Sequence, residues 1–190
     1  MKEIRWHARA GQGAKSASQL LALALMHAGR FVQAFPEYGP ERRGAPMRAY
    51  TRLDAQPIRR RDAVEHPDVA VVLDESLLHD PNVTAGLRES SVLVVNTERP
   101  AAALREELEL EAGIACVPAD AIAAAAGVRF ANSIMVGAVA AAIGEPPLED
   151  VLAAADALLG KKLTPELAQA SLDTIRTGYE HVAAQEAVHA

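Results

Sequence analysis

Cysteine is almost missing from this chain: Cys116 is the only one in 190 residues. That excludes an intramolecular disulfide and a cysteine-held zinc or iron–sulfur site within this polypeptide alone. Cys116 lies in the apolar run IACVPA and reads as a buried strand thiol. Aromatic residues are scarce too, at 4%. The core must therefore be built from Ala, Val, Leu and Ile, which suits helices packed on a parallel sheet. Few rings are left to stack bases, and no binding motif is present, so nucleic acid is not an expected partner. The six histidines (7, 27, 66, 79, 181 and 189) show no HxH or HxxxH spacing, so no metal site is expected. The chain does not open on a long apolar run, because Lys2, Glu3 and Arg5 interrupt it. No membrane insertion is expected, and the chain reads as cytoplasmic. There is no repeat, low-complexity tract or linker, so residues 1–190 read as a single domain with a sizeable core.

What is present is charge, unevenly placed. The net charge is −6, yet residues 31–61 hold seven Arg against Glu37, Glu41 and Asp54. Residues 140–190 hold eight acids against Lys161, Lys162 and Arg176. A basic face on an acidic protein suggests a charged partner or ligand. The densest stretch is FPEYGPERRGAP, Phe35 to Pro46. Its Gly and Pro deny both helix and ladder, so it is expected as an ordered turn or loop. Arg42 and Arg43 stand side by side in it, and guanidinium groups bind carboxylate or phosphate bidentately. Two readings stay open: a surface turn with its own ion pairs, or a contact surface for a partner chain or an anionic ligand.

The rest of the chain alternates strands with helices. Residues 2–7 alternate as a first strand, and 8–13 form a small-residue turn. Ala17, Leu20, Leu21, Ala24, Leu25 and Ala28 then make a helical stripe, closed by Gly29. Backbone N–H groups at such a helix start hold anions, and Lys15 adds charge. Tight strand–helix packing explains Gly11 and Gly13 equally well. Residues 31–35 and 47–53 read as strands, the latter with Arg48, Tyr50 and Arg52 on one face as a compact basic surface or a solvated strand face. Ile58 to Arg61 reads as a brief edge strand. The apolar runs 68–74, 91–96 and 113–117 read as buried strands, with helical patterns over 76–87 and 100–110 between them. That alternation predicts right-handed crossovers and a mainly parallel sheet. Asp74 and Asn96 fall at strand C-terminal ends, where open α/β sheets bind ligands, although helix capping is the plainer role for either. The run 132–143 is apolar nearly all round and predicts a buried helix, with Asn132 as N-cap, Gly144 as stop and Gly137 admitting a close neighbour. An amphipathic helix is expected over 148–159. A last helix starts at Pro165 and buries Leu172, Ile175, Tyr179 and Val182.

Three motifs stand in order: RAGQG at 9–13, PEYGPERRGAP at 36–46 and NSIMVGA at 132–138. Together they resemble the gamma subunit of the 2-oxoacid:ferredoxin oxidoreductases, over essentially the whole chain. The usual first motif of that family is of the type GRGGQG; here Ala8 and Ala10 replace two of its glycines. The resemblance implies a Rossmann-like, doubly wound α/β domain with helices on both faces of a mainly parallel sheet. It also implies membership of a multisubunit enzyme that decarboxylates a 2-oxoacid on thiamine diphosphate with Mg, passes electrons through iron–sulfur clusters to ferredoxin or a related acceptor, and forms an acyl-CoA. Thiamine diphosphate and clusters belong to the alpha, beta and delta partners, and no cofactor is expected on this chain alone except CoA. The resemblance places CoA phosphates at the glycine turn, on Arg9, Gly11, Gln12, Gly13 and Lys15. It places partner and active-site docking on Glu37, Tyr38, Gly39, Glu41, Arg42, Arg43, Gly44 and Asn132. No catalytic residue is expected, since the chain shows no carboxylate–His–nucleophile constellation of its own. The substrate acid and the electron acceptor are left open. The alternative is a stand-alone nucleotide- or CoA-binding module, or a scaffold without ligand.

Overall fold

Strand β1 (Lys2–Arg9) lies inside a six-stranded sheet of order β2-β3-β1-β4-β5-β6. The computed structural model describes residues 1–37, 44–129, 131–161 and 163–189, the last four without their side chains. β2 (Phe31–Glu37) and β3 (Pro46–Asp54) pair antiparallel, as do β3 and β1. β4 (Val69–Val72), β5 (Val92–Asn96) and β6 (Gly113–Val117) continue from β1 in parallel. The sheet is thus mixed, with β3 alone running against the other strands. The reversal follows from the short 38–45 connection, which returns the chain beside β2 and leaves no room for a crossover helix.

The apolar runs VAVV and VLVVN are buried on both faces, as their composition requires. On one face, α1 (Ala14–His27), α5 (Asn132–Ile143), α6 (Leu148–Leu159) and α7 (Pro165–His189) enclose the larger core with Ile4, Trp6, Val71 and Val94. On the other, α3 (Ala101–Leu108) and the segment 75–84 cover β4 to β6 around Leu77, Val83, Leu93 and Leu104. That segment is not one helix. A 3-10 turn, Glu75–Leu77, is followed by the short α2 (Pro81–Thr84), because Asp80 caps a fresh start at Pro81. A short α4 (Ala119–Ala125) precedes α5.

α5 and α6 occupy the residues their patterns predict. Asn132 does not cap α5, however: Ala131 holds the cap position and Asn132 lies inside the first turn. α5 and α7 cross in near backbone contact. A Cβ on Gly137 would lie 2.1 Å from the Ile175 carbonyl oxygen, and one on Gly178 would lie 2.3 Å from that of Ile134. Farther along, His181 Nε2 and Gln185 Nε2 lie 3.0 and 2.8 Å from the carbonyl of Cys116 on β6. Cys116 is a free, buried thiol, and burial pushes its pKa up. No helix among the described residues is long and apolar enough to cross a membrane.

Over β1 and β3 the second face is polar yet closed. Arg48, Tyr50 and Arg52 do share it, but they form no basic surface. Arg52 is 0% exposed and donates to Glu3 at 2.7 Å; Arg48 pairs with Glu37 at 2.8 Å. Arg5 is buried there as well and donates to the carbonyls of Val64, Glu65, Val83 and Ala85. Residues 58–61 form no strand. They run irregularly beside β2 and β3: Gln33 donates to the Ile58 carbonyl at 3.1 Å and Arg52 to that of Ala63 at 3.4 Å. The Gln33 amide takes the Ile58 carbonyl that a strand would have paired.

Candidate functional site

From β1 the chain crosses through α1 to β2 on one side, whereas from β4 it proceeds through β5 to β6 on the other. The loops after β1 and β4 therefore diverge, and a crevice opens at this topological switch point. It measures about 390 Å³ and is lined by Gln12, Asp74, Asn96, Thr97, Arg99 and Asp120 among others.

The glycine turn 9–13 reaches the crevice through Gln12. The Arg9 N–H donates to Gln12 Oε1 at 2.7 Å, and the Gln12 N–H returns a bond to the Arg9 carbonyl at 3.0 Å. Gln12 Nε2 then donates to Asp74 Oδ2 at 2.7 Å, tying the turn to the end of β4. Gly11 adopts φ +103° with open space where a Cβ would stand. Gly13 is also left-handed, at φ +85°, but a Cβ there would lie 2.6 Å from Asn132 Nδ2. So the packing explanation holds for Gly13, and the open backbone belongs to Gly11. Gly13 starts α1 with no side-chain cap, and no acid occupies the first turn. Lys15 is exposed in that turn.

Arg9 is a connector. It donates to Ser76 Oγ at 2.7 Å and to the Gly44 carbonyl at 3.2 Å, and it pairs with Asp74 at 3.3 Å. Burial disfavours the Asp74 carboxylate. The bonds from Ser76 and Gln12 and the charge of Arg9 outweigh it and hold the carboxyl below its ordinary pKa. Asp74 does cap the turn after β4, through Ser76 N–H at 3.0 Å. Asn96 does not cap the helix that follows it. It bridges strand ends, donating to the Leu73 carbonyl at 3.1 Å and accepting from the Asp120 N–H at 3.1 Å.

The base of the second motif sits on the first. The Ala10 N–H donates to the Ala45 carbonyl at 2.8 Å, and the Gly44 N–H to the Ala10 carbonyl at 3.3 Å. Glu37, at the other end of the loop, binds Arg48 and accepts from the Tyr50 hydroxyl. Burial, then the bond to Glu37, push the Tyr50 phenol up to about 12. Tyr38, Gly39, Glu41, Arg42 and Arg43 lie outside the described residues. The third motif joins through Asn132, whose amide donates to the Gly13 carbonyl at 3.3 Å. The three motifs therefore meet at one edge of the sheet. Sequence reasoning missed the stitching by Gln12, Arg9 and Ser76. Its only trace was an acid, Asp74, closing an apolar run.

Residues 3–181 match the family model described as pyruvate ferredoxin/flavodoxin oxidoreductase. The chain is 47% identical over 185 residues to pyruvate synthase subunit PorC of Thermotoga maritima, covering 97% of this chain and 96% of that one. It is 47% identical over 153 residues to the pyruvate/ketoisovalerate oxidoreductases common subunit gamma of Thermococcus kodakarensis, covering 80% and 83%. The crystal structure of pyruvate oxidoreductase subunit PORC from Thermotoga maritima superposes with a TM-score of 0.83 at 43% identity, over 94% of this chain and 95% of that one.

Proposed function

The chain belongs to the pyruvate ferredoxin/flavodoxin oxidoreductase family as a gamma-type subunit, and on that premise we propose that it holds coenzyme A and docks the partners of a multisubunit 2-oxoacid oxidoreductase. Pyruvate is the acid that both relatives' names carry. Thiamine diphosphate with Mg and the iron–sulfur clusters reside on alpha, beta and delta partners in this reading, and ferredoxin takes the electrons. CoA, when bound, supplies the thiol that accepts the acyl group.

The observation that carries the CoA reading is the start of α1: a glycine turn, no side-chain cap and no acid in the first turn, beside a crevice at the switch point. Unpartnered N–H groups and the positive end of the helix favour a phosphate there. The residues fit the group: Gly11 leaves its backbone approachable and Lys15 is exposed beside it. Arg9 and Gln12 spend their donors on Asp74, Ser76 and Gly44, so they hold the turn in shape around the phosphate. Gly13 lets α1 begin against Asn132.

Lys15→Ala in the assembled enzyme should raise the apparent KM for CoA and leave CoA-independent decarboxylation alone. A parallel fall of both activities would make Lys15 structural. The 37–44 loop is the docking element, with Glu37 and Gly44 fixing its two ends. Arg42→Ala with Arg43→Ala should dissociate the complex or halt turnover in it; an intact, fully active double variant would refute that role.

A further inference from the structure

Among the described residues, two side-chain polar atoms are buried without a hydrogen-bond partner: Oε1 of Gln33 and Nη1 of Arg52. They belong together. Gln33 on β2 and Arg52 on β3 are partners in the antiparallel register, so their side chains leave the same face of the sheet side by side. Both also reach the irregular segment that runs beside these strands. Gln33 Nε2 donates to the Ile58 carbonyl at 3.1 Å and Arg52 Nη2 to that of Ala63 at 3.4 Å. Phe35, two residues on from Gln33, sets its ring 5.6 Å from Arg52 Cζ and 5.3 Å from the ring of Tyr50.

Reorienting the two groups in place does not relieve them. Turning the Gln33 amide over would set Oε1 against the Ile58 carbonyl, acceptor against acceptor. The rest of the guanidinium is committed, Nε to Glu3 at 2.7 Å and Nη2 to Ala63 and, at 3.5 Å, to Asp62. One leftover atom is an acceptor and the other a donor, and buried polar groups of either kind are seldom left unpaired. The pair calls for a molecule that accepts from Nη1 and donates to Oε1. An anion does not suit, because Gln33 Oε1 repels it and Glu3 and Asp62 already offset the charge of Arg52. A cation is turned away by the Nη1 hydrogens. Neither atom is exposed, so a larger alcohol or amide has no entry without moving the chain. Water has both functions and the size, and two partners meet the lower end of the about two to four that a buried water takes.

We propose that one internal water molecule is an integral part of this sheet, bound between Arg52 Nη1 and Gln33 Oε1 beside the segment 58–63. It links the edge strand β2 to β3 through side chains, in addition to the backbone ladder, and holds Gln33 where its amide meets Ile58. The site is independent of the CoA and docking readings, since neither Gln33 nor Arg52 takes part in them.

A high-resolution crystal structure of the full chain, grown in sodium bromide, tests the proposal directly. It should show a single solvent peak about 2.6–3.2 Å from both atoms, without anomalous bromide signal. In solution, oxygen-17 magnetic relaxation dispersion counts long-lived internal waters, and Gln33→Leu should lower that count by one. An empty site, a peak on only one of the two atoms, a bromide peak, a direct Gln33–Arg52 bond, or an unchanged count in folded Gln33→Leu would each overturn the proposal. Should Gln33→Leu fail to fold, the crystal structure of the parent chain decides alone.

Discussion

Asn132 donates its side-chain amide to the carbonyl of Gly13 at 3.3 Å across 119 positions of chain, and that same nitrogen is what a Cβ on Gly13 would meet at 2.6 Å. One bond therefore fixes where α1 and α5 begin relative to each other. It also separates the roles of two glycines that look alike in sequence.

Gly11→Ala should cost about 1–2 kcal/mol, the strain of a left-handed alanine. Gly13→Ala adds overpacking to that strain and should cost about 2–4 kcal/mol. Asn132→Ala on the Gly13→Ala background should recover part of the difference, a coupling that urea unfolding of the four proteins measures. Equal costs for the two glycine substitutions would show that the contact with Asn132 yields freely.

The α5–α7 crossing is the second tight place. An alanine at Gly137 or Gly178 must push backbone against backbone, since the atoms met at 2.1 and 2.3 Å are carbonyl oxygens. Each single substitution should lower stability by about 3 kcal/mol or more. A thermal melt of either variant within about 1 kcal/mol of the parent would mean that the helices separate without loss.

Glu3 answers the fully buried guanidinium of Arg52 at 2.7 Å, while Arg52 Nη1 has no partner among the described residues. Glu3→Gln leaves Arg52 with Asp62, at 3.5 Å, as its remaining carboxylate and should destabilise by about 1–3 kcal/mol. Replacing both, Glu3→Leu with Arg52→Met, should recover most of that loss, because no lone charge is left buried. Chemical denaturation of the single and double variants decides it; a double variant as unstable as Glu3→Gln would exclude this explanation.

His7 accepts from Arg5 Nε at 3.0 Å through its own Nε2, which leaves the proton on Nδ1. Burial, then the charges of Arg5 and Arg48, pull its pKa down to about 3, against a weaker opposite pull from Asp80. The unfolded ring titrates near about 6.5. Between those two values the unfolded chain binds the extra proton, so stability should drop as the pH is lowered, by up to about 1.4 kcal/mol per unit from this group. His7→Gln, which keeps an acceptor for Arg5, should flatten the unfolding free energy over that window. An unchanged slope would assign the acid sensitivity to other groups.

Much of the scaffold was legible because its signals are local. The runs VAVV and VLVVN, the Gly144 stop and the Pro165 start each act within a few residues, and those elements lie where the pattern puts them. The misreadings concern reach. Arg48 and Arg52 read as a basic surface because their partners, Glu37 and Glu3, stand 11 and 49 positions away. Asn132 read as a cap because capping is a local habit of asparagine, whereas its amide serves a carbonyl in another motif. Ile58 to Arg61 read as a strand because composition does not reveal that the Gln33 side chain takes the Ile58 carbonyl. The candidate site was legible as three motifs, but not the bonds that gather them.

The two margins of the sheet differ in kind. On β6, side chains of α7 occupy the carbonyl of Cys116, which is thereby withdrawn from pairing with another chain. The rim formed by β2 has no neighbouring strand among the described residues and carries Phe31 at 47% exposure. A strand recruited from outside therefore meets less obstruction at β2, where it would extend the sheet next to Glu37.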